Sequence, residues 1–298
     1  MCGIVGYIGH RNSISVLIQG LESLEYRGYD SAGLACLNHH RNDLCIIKEK
    51  GKLARLKDRL RGLDLTSHIG IAHTRWATHG VPSRANAHPH TDSKGRIALV
   101  HNGIIENYFP LKQELRRQGF HFSSETDTEV LANLIGSYYR GGNLVEAVSK
   151  AVQRLEGFFA FAVMAKDEPH RLVVFRRSNP LVIGLGKHEN FIASDASAIL
   201  PYTNRVLFLE DDEIAVLTRE EVKIFSFPEM RPVRRKPAVI RWTVEQAAKG
   251  GYPHFMLKEI YEQPQVVASI LKSRLAGDRK STRLNSSHNV PSRMPSSA

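Results

Sequence analysis

Cys2-Gly3-Ile4-Val5-Gly6-Tyr7-Ile8 reads as a β-strand that begins at the second residue of the chain. Ile4, Val5, Tyr7 and Ile8 are the β-branched and aromatic types that suit a pleated, half-buried surface, whereas most termini fray. A terminal strand docked in a sheet holds its first residue still. Here that residue is a cysteine, and loss of Met1 would leave a thiol and a free α-amine on one Cα. The thiolate is the reactive form of cysteine, and an α-amine with an ordinary pKa of about 7.7–8.0 accepts a proton near neutrality. Activation of a nucleophile by its own amine is a recognised arrangement. Taken alone, Cys2 is also readable as a small residue that happens to follow the initiator methionine.

Outward from this strand, the first 230 residues or so alternate short apolar runs with amphipathic helices and contain no repeats. Strands are expected at Gly3 to Ile8, Ala32 to Leu37, Cys45 to Lys48, Ile69 to His73, Ile97 to His101, Phe159 to Met164, Arg171 to Phe175, Phe191 to Ala193, Val206 to Leu209, Glu213 to Leu217 and Val222 to Phe225. That is too many for one short sheet. Helices fit Ser13 to Ser23, Tyr108 to Gln118, Asp127 to Tyr139 and Leu144 to Arg154, in two groups able to cover opposite faces of stacked sheets. The expected architecture is therefore two packed sheets between helical layers, an α+β sandwich. The third helix has the clearest start, because Thr126 and Glu129 have capping-box spacing and Val130, Leu131, Leu134, Ile135 and Tyr138 form one apolar stripe.

The chain has 298 residues, 42% of them hydrophobic and 24% charged, as in an ordinary globular protein. The longest apolar stretch, Gly157 to Ala165, is too short to span a bilayer, and no basic segment precedes the N-terminal apolar run. Three cysteines, Cys2, Cys36 and Cys45, cannot form a fully paired disulfide framework, which suits a reducing, cytoplasmic compartment. The net charge of +11 is concentrated in Arg231, Arg234, Arg235, Lys236 and Arg241 and in Arg279, Lys280, Arg283 and Arg293. Basicity confined to a proline-bearing connector and a tail, with no aromatic-rich basic face, argues against nucleic acid as a partner. The pattern divides the chain into a domain over residues 1–230, a basic linker over 231–252, the start of a further region over 253–277, and a disordered tail over 278–298. The tail's Arg279 to His288 looks like translated adaptor sequence.

Several segments carry chemistry. The strand ending at His73 runs into Thr74-Arg75-Trp76-Ala77-Thr78-His79-Gly80, a loop-like stretch with a guanidinium, a hydroxyl and an imidazole. Arg75 has the planar fork that grips a carboxylate, or else it forms a surface ion pair. Trp76 is a lid or a core residue. Asn102-Gly103 is first a hairpin-turn signal, yet a side-chain amide beside a glycine N–H is also the donor pair an oxyanion hole needs. Asp127 at a helix start is favoured by the helix dipole alone, and it can also receive an ammonium; with Arg75 it would recognise both charged groups of a free α-amino acid. His73, His79, His88 and His90 match no familiar zinc spacing, and Cys36, His39, His40 and Cys45 read as a polar hairpin between strands, so neither metal nor cofactor is expected. Gly184 to Lys187 lacks the spacing of a phosphate loop.

Together, Cys2 to Gly6, Leu24-Glu25-Tyr26-Arg27-Gly28-Tyr29-Asp30-Ser31-Ala32-Gly33, His73 to Gly80, His101 to Asn107 and Ser124 to Val130 resemble the glutaminase domain of the glucosamine-6-phosphate synthase family of class II glutamine amidotransferases. Phe191 to Asp195 and Lys258 to Pro264 extend the likeness. The resemblance implies a four-layer αββα fold of the N-terminal-nucleophile hydrolase type. It implies Cys2 as nucleophile with its freed amine as base, and the Asn102 side chain and Gly103 N–H as oxyanion hole. Arg75 and Asp127 would clamp glutamine, with Thr78 and His79 as further glutamine-site residues, Arg27 beside the nucleophile and Trp76 on a closing loop. In the full-length family, the ammonia converts fructose-6-phosphate to glucosamine-6-phosphate; this chain would be a glutaminase fragment, with a homodimer expected only alongside the missing isomerase domains. The rivals are another amidotransferase, such as the purine-pathway phosphoribosyl enzyme, and a catalytically silent glutamine-binding fragment.

Overall fold

The N-terminal strand, β1 (Gly3–Ile8), is buried at every residue, with β10 (Asn190–Ala193) paired on one side and β4 (Ile69–Arg75) on the other. The structure is a computed structural model that describes residues 2–38, 43–78, 80–241 and 252–275. Its backbone forms two compact units, Met1–Val244 and Glu245–Ala298. In the first, β1 belongs to an eight-stranded sheet completed by β2 (Ser31–Asn38), β3 (Asp43–Lys50), β9 (Val182–Leu185), β11 (Arg205–Phe208) and β15 (Ala238–Val239), in the order β15-β11-β9-β10-β1-β4-β2-β3. A seven-stranded sheet contains β5 (His90–Thr91), β6 (Ile97–Ile105), β7 (Gly157–Ala165), β8 (Leu172–Arg177), β12 (Glu213–Leu217), β13 (Val222–Ser226) and β14 (Arg231–Val233), in the order β14-β13-β12-β8-β7-β6-β5. The described part of the second unit contains one helix, α6 (Phe255–Leu275). Among the described residues no helix is long and apolar enough to cross a membrane.

The layers follow from side-chain alternation along each strand. Ile4 and Ile8 of β1, Ala35 and Leu37 of β2, and Ile69 and Ile71 of β4 meet Ala98 and Val100 of β6 and Ala160, Ala162 and Met164 of β7 in a core between the sheets. The intervening residues point outward to helices. Val5, Tyr7, Leu34 and Ala72 pack with Leu17, Leu21 and Leu24 of α1 (Ser13–Leu24) and Leu53 and Leu56 of α2 (Leu53–Leu60). Leu99, Phe159, Phe161, Val163 and Phe175 pack with α3 (Tyr108–Arg117), α4 (Asp127–Tyr138) and α5 (Leu144–Val152). The result is a four-layer αββα sandwich. Each fully buried leucine or isoleucine in these layers contributes about 1.5–3 kcal/mol of transfer free energy.

Two expectations change. Asn102 and Gly103 do not form a hairpin turn; they lie within β6, opposite Ala160 and Phe159. The apolar run of β7 offers a partner along the whole of β6, and Gly103 accommodates the ladder at φ +109°. Within the basic stretch read as a linker, Arg231–Val233 pairs with β13 and Ala238–Val239 with β11, because each sheet still has an open edge there. The expected disordered tail, residues 278–298, lies outside the described residues.

Candidate active site

Register brings the chemistry-bearing residues of three strands to one place. Ile4 is opposite His73 and Gly3 opposite Thr74 in the β1–β4 ladder, so continuing it by one residue sets Cys2 against Arg75. Cys2 shares the parity of Ile4, and Arg75 shares that of Ile71 and His73, so both belong to the inter-sheet side. Asn102 follows Ala98 and Val100 onto the same side from the other sheet. Its Nδ2 donates to the Cys2 carbonyl at 3.1 Å.

The half-buried Cys2 thiol lies against the loop that leaves β4. The Trp76 N–H donates to Sγ at 3.1 Å, and the thiol donates to the Trp76 carbonyl at 3.4 Å. Burial pushes the thiol pKa above its ordinary value; the Trp76 N–H, the ammonium carried by Met1, Arg75 and Arg27 pull in the opposite direction. The sulfur is thus a thiol in need of a base rather than a standing thiolate.

Arg75 is 3% exposed, and its Nη2 donates to the Gly80 carbonyl at 3.3 Å. Burial lowers its pKa, opposed by charge at Cys2, Asp127, Asp30 and Glu125, and an arginine remains charged under such a shift. Asp127 opens α4, with Thr126 as N-cap. The Thr126 hydroxyl accepts from the Glu129 N–H at 3.3 Å, but the Glu129 carboxylate takes the N–H groups of Ser123 and Ser124 instead of closing the capping box. Asp127 Oδ2 accepts from the Ile105 N–H at 3.0 Å, which ties the carboxylate to the end of β6, two residues beyond Gly103. Arg27 is paired with Asp195 at 3.1 Å. Trp76 is 41% exposed and meets the Tyr29 ring edge-on at 5.6 Å. Thr78 is exposed, and His79 lies outside the described residues. Hollows lined by His10, Arg11, Lys187, His188, Glu189 and Arg219 and by Val145, Arg171 and Lys223 share no residue with this cluster.

Sequence reasoning assigns no role to three residues that build the site. A Cβ on Gly28 would meet the Arg75–Trp76 backbone at 2.8–3.0 Å, so only glycine permits that approach. Asp30 accepts from the Ala77 N–H at 2.9 Å and donates its own N–H to the Arg75 carbonyl at 3.0 Å. His73 Nε2 lies 2.9 Å from Asn102 Oδ1. The Arg-Gly-Tyr-Asp run holds the signal for the first two, since a glycine and a turn-forming acid follow the arginine placed near the nucleophile. Ser194 also braces β1, its hydroxyl accepting from the Ile4 N–H at 3.0 Å.

Residues 47–245 match the family model described as "Glutamine amidotransferase domain". Over 276 residues the chain is 52% identical to the glutamine–fructose-6-phosphate aminotransferase (isomerizing) of Aquifex aeolicus, covering 93% of this chain and 46% of that protein. A Thermus thermophilus protein of the same name is 53% identical over 275 residues, covering 92% of this chain and 45% of its own length. The chain therefore spans about half the length of the curated relatives it matches. Among solved structures, the glutamine phosphoribosylpyrophosphate amidotransferase of B. subtilis superposes with a TM-score of 0.65 at 28% identity, over 76% of this chain and 49% of that one. A class-II glutamine aminotransferase domain protein from Silicibacter pomeroyi shares the fold, with a TM-score of 0.51 at 17% identity over 76% of this chain and all of that one.

Proposed function

We infer, from the premise that this chain belongs to the glutamine amidotransferase domain family, that Cys2 hydrolyses the side-chain amide of glutamine to glutamate and ammonia. With Met1 removed, the α-amine of Cys2 takes the thiol proton as sulfur attacks the amide carbon. Burial that raises the thiol pKa makes such a base necessary. Charge building on the amide oxygen is received by the Asn102 side chain and the Gly103 N–H. The α-ammonium then returns its proton to the departing nitrogen, ammonia leaves, and water hydrolyses the thioester. Arg75 takes the α-carboxylate of glutamine and Asp127 its α-ammonium, which fixes the amide before the sulfur. Thr78 and His79 add polar contacts, Arg27 stands beside the nucleophile, and Trp76 lies on the loop that closes over the substrate.

The observation that carries this reading is the 3.1 Å approach of Asn102 Nδ2 to the Cys2 carbonyl, which joins the two ends of the chemistry across the two sheets. The ammonia acceptor is fructose-6-phosphate in a full-length, dimeric cytoplasmic enzyme. Identity above 50% to the amino-sugar enzymes, against 28% to the phosphoribosyl enzyme, supports that choice over the purine pathway. The test is glutamate and ammonia release from protein whose intact mass shows Met1 present or absent. Activity is expected only where Met1 is absent, and full activity with Met1 retained would overturn the self-activated cysteine.

A further inference from the structure

A carboxamide offers an oxygen on one side and two N–H donors on the other, and only the nitrogen side can receive negative charge from a reacting amide oxygen. Asn102 therefore works only if its amide is held one way round. Two contacts decide the orientation. Nδ2 lies 3.1 Å from the Cys2 carbonyl, which can only accept, so nitrogen must face it. Oδ1 then points away, 2.9 Å from His73 Nε2. An amide oxygen also only accepts, so Nε2 must bear a proton. One of the two Nδ2 hydrogens is engaged by Cys2, and the other is the one a substrate oxygen would receive.

We propose that His73 is a positioning residue for amide hydrolysis, its Nε2–H locking the Asn102 carboxamide with the donor side toward Cys2. This inference rests on the assignment of Asn102 to the oxyanion site. His73 stands on β4 with its neighbours Ile69 and Ile71 facing the inter-sheet core, and is 1% exposed. Burial pushes its pKa down to about 3, reinforced by His101 and Arg75 and opposed by the Asn102 oxygen and the His101 backbone. The ring is therefore uncharged at neutral pH and carries a single proton. Its plane is braced by the His88 ring, with centroids 4.2 Å apart. His88 is itself held by Nε2 at 3.0 Å from the Thr128 hydroxyl, where His101 Nδ1 also arrives at 3.0 Å. Thr128 follows Asp127 on α4, so one buried polar array fixes both the oxyanion amide and the helix start that carries the proposed ammonium site.

A histidine that only fills the core would behave differently from one that aims an amide. His73→Leu keeps most of the volume without a donor, whereas in His73→Gln the side-chain nitrogen reaches the place of Nε2. With Met1-free full chain, His73→Leu is expected to lower kcat roughly 10–10²-fold, less than the ~10²–10³-fold typical of deleting an oxyanion donor outright. KM should stay within about two-fold, because Arg75 and Asp127 are untouched. His73→Gln should recover most of the loss. Affinity for the aldehyde analogue of glutamine, which adds the Cys2 thiol to give a tetrahedral oxygen at this site, should fall in step with kcat while glutamate affinity stays constant. Equal losses in both variants, or a loss carried by KM and glutamate binding, would overturn the proposal. Nitrogen-15 NMR of the wild-type ring at pH 7 decides independently of any variant's folding: the Nε2–H tautomer is expected, and an Nδ1–H or doubly protonated ring refutes it. That measurement needs no turnover, so a wild-type chain that fails to hydrolyse glutamine would overturn the Cys2 reading while the ring still decides the His73–Asn102 contact.

Discussion

Replacing Gly28 by alanine probes how far the nucleophile depends on the loop beside it. The added methyl would lie 2.8 Å from the Arg75 carbonyl carbon, 2.9 Å from the Trp76 nitrogen and 3.0 Å from the Arg75 oxygen. All three are backbone atoms, so no side chain can swing aside. Comfortable carbon contact begins near ~3.5 Å, so the Arg75–Trp76 peptide must retreat by roughly half an ångström or more. The overpacking costs about 1–3 kcal/mol of stability. The chemical cost is separate, because this peptide carries the N–H that reaches Cys2 Sγ at 3.1 Å. A hydrogen bond to a charged partner is worth about 1.5–3 kcal/mol, and one pKa unit corresponds to about 1.4 kcal/mol. The Trp76 N–H lowers a thiol pKa that burial has raised, so weakening it moves that pKa further up, by about one unit for a half-lost bond. The assay is the pH profile of iodoacetamide alkylation in a Cys36→Ser, Cys45→Ser background with Met1 removed, alongside kcat/KM for glutamine. The inflection should rise by about one unit and kcat/KM should fall about ten-fold. A folded Gly28→Ala protein with both quantities unchanged would refute the idea that this peptide tunes the sulfur.

Asp127→Asn should raise the glutamine KM roughly 10–10²-fold, the scale of losing a hydrogen bond to a charged group, about 1.5–3 kcal/mol, while Cys2 alkylation is unaffected; an equal effect on amides lacking an α-amine would argue against the ammonium contact. Gly103→Ala places a methyl 2.0 Å from the Phe158 carbonyl at φ +109°, so calorimetry should show a loss of about 3 kcal/mol or more, which is roughly 6–12 °C in Tm for a domain of this size. An unchanged Tm would mean β6 rearranges freely. Cys36 and Cys45 face each other across β2 and β3; hydrogen bonding from Cys36 lowers the Cys45 thiol, while the same contact and burial raise Cys36. In a Cys2→Ser chain, Cys45 should therefore alkylate first as pH rises, and Cys36→Ala should shift its profile upward. Simultaneous labelling of both thiols by peptide mapping would contradict this coupling.

What can be read in advance is whatever a single element's own periodicity records. Ile4, Val5, Tyr7 and Ile8 declare β1, and Thr126 declares the start of α4, because alternation and capping are local. The helix α2 has its leucines at Leu53, Leu56 and Leu60, the i, i+3, i+7 spacing of an amphipathic helix, but its eight residues are fewer than the window over which that period separates from a loop. β5, with two residues, is too short to show alternation. Asn102-Gly103 misleads locally for a tertiary reason: β7, more than fifty residues further on, supplies a ladder that overrides the turn preference.

The site shows the same limit in a sharper form. Cys2 and His73 have a parity that can be counted from the strands they start or end, whereas Arg75 and Asn102 read locally as loop and turn and take theirs only from the longer β4 and β6; parity in any case says only that a side chain leaves one face of a sheet. It does not say that β4 and β6 lie in different sheets whose inner faces meet. Once they do, His73 and Asn102 are forced into one buried space, where an imidazole without charge and an amide with a defined flip are the arrangement that satisfies both. The same stacking keeps Cys2 from fraying, since β1 lies between β10 and β4 rather than at an edge. A reactive first residue and a rigid oxyanion amide are therefore consequences of one packing event. Loosening the inter-sheet core near Ile4 should disturb Cys2 and Asn102 together, not one without the other.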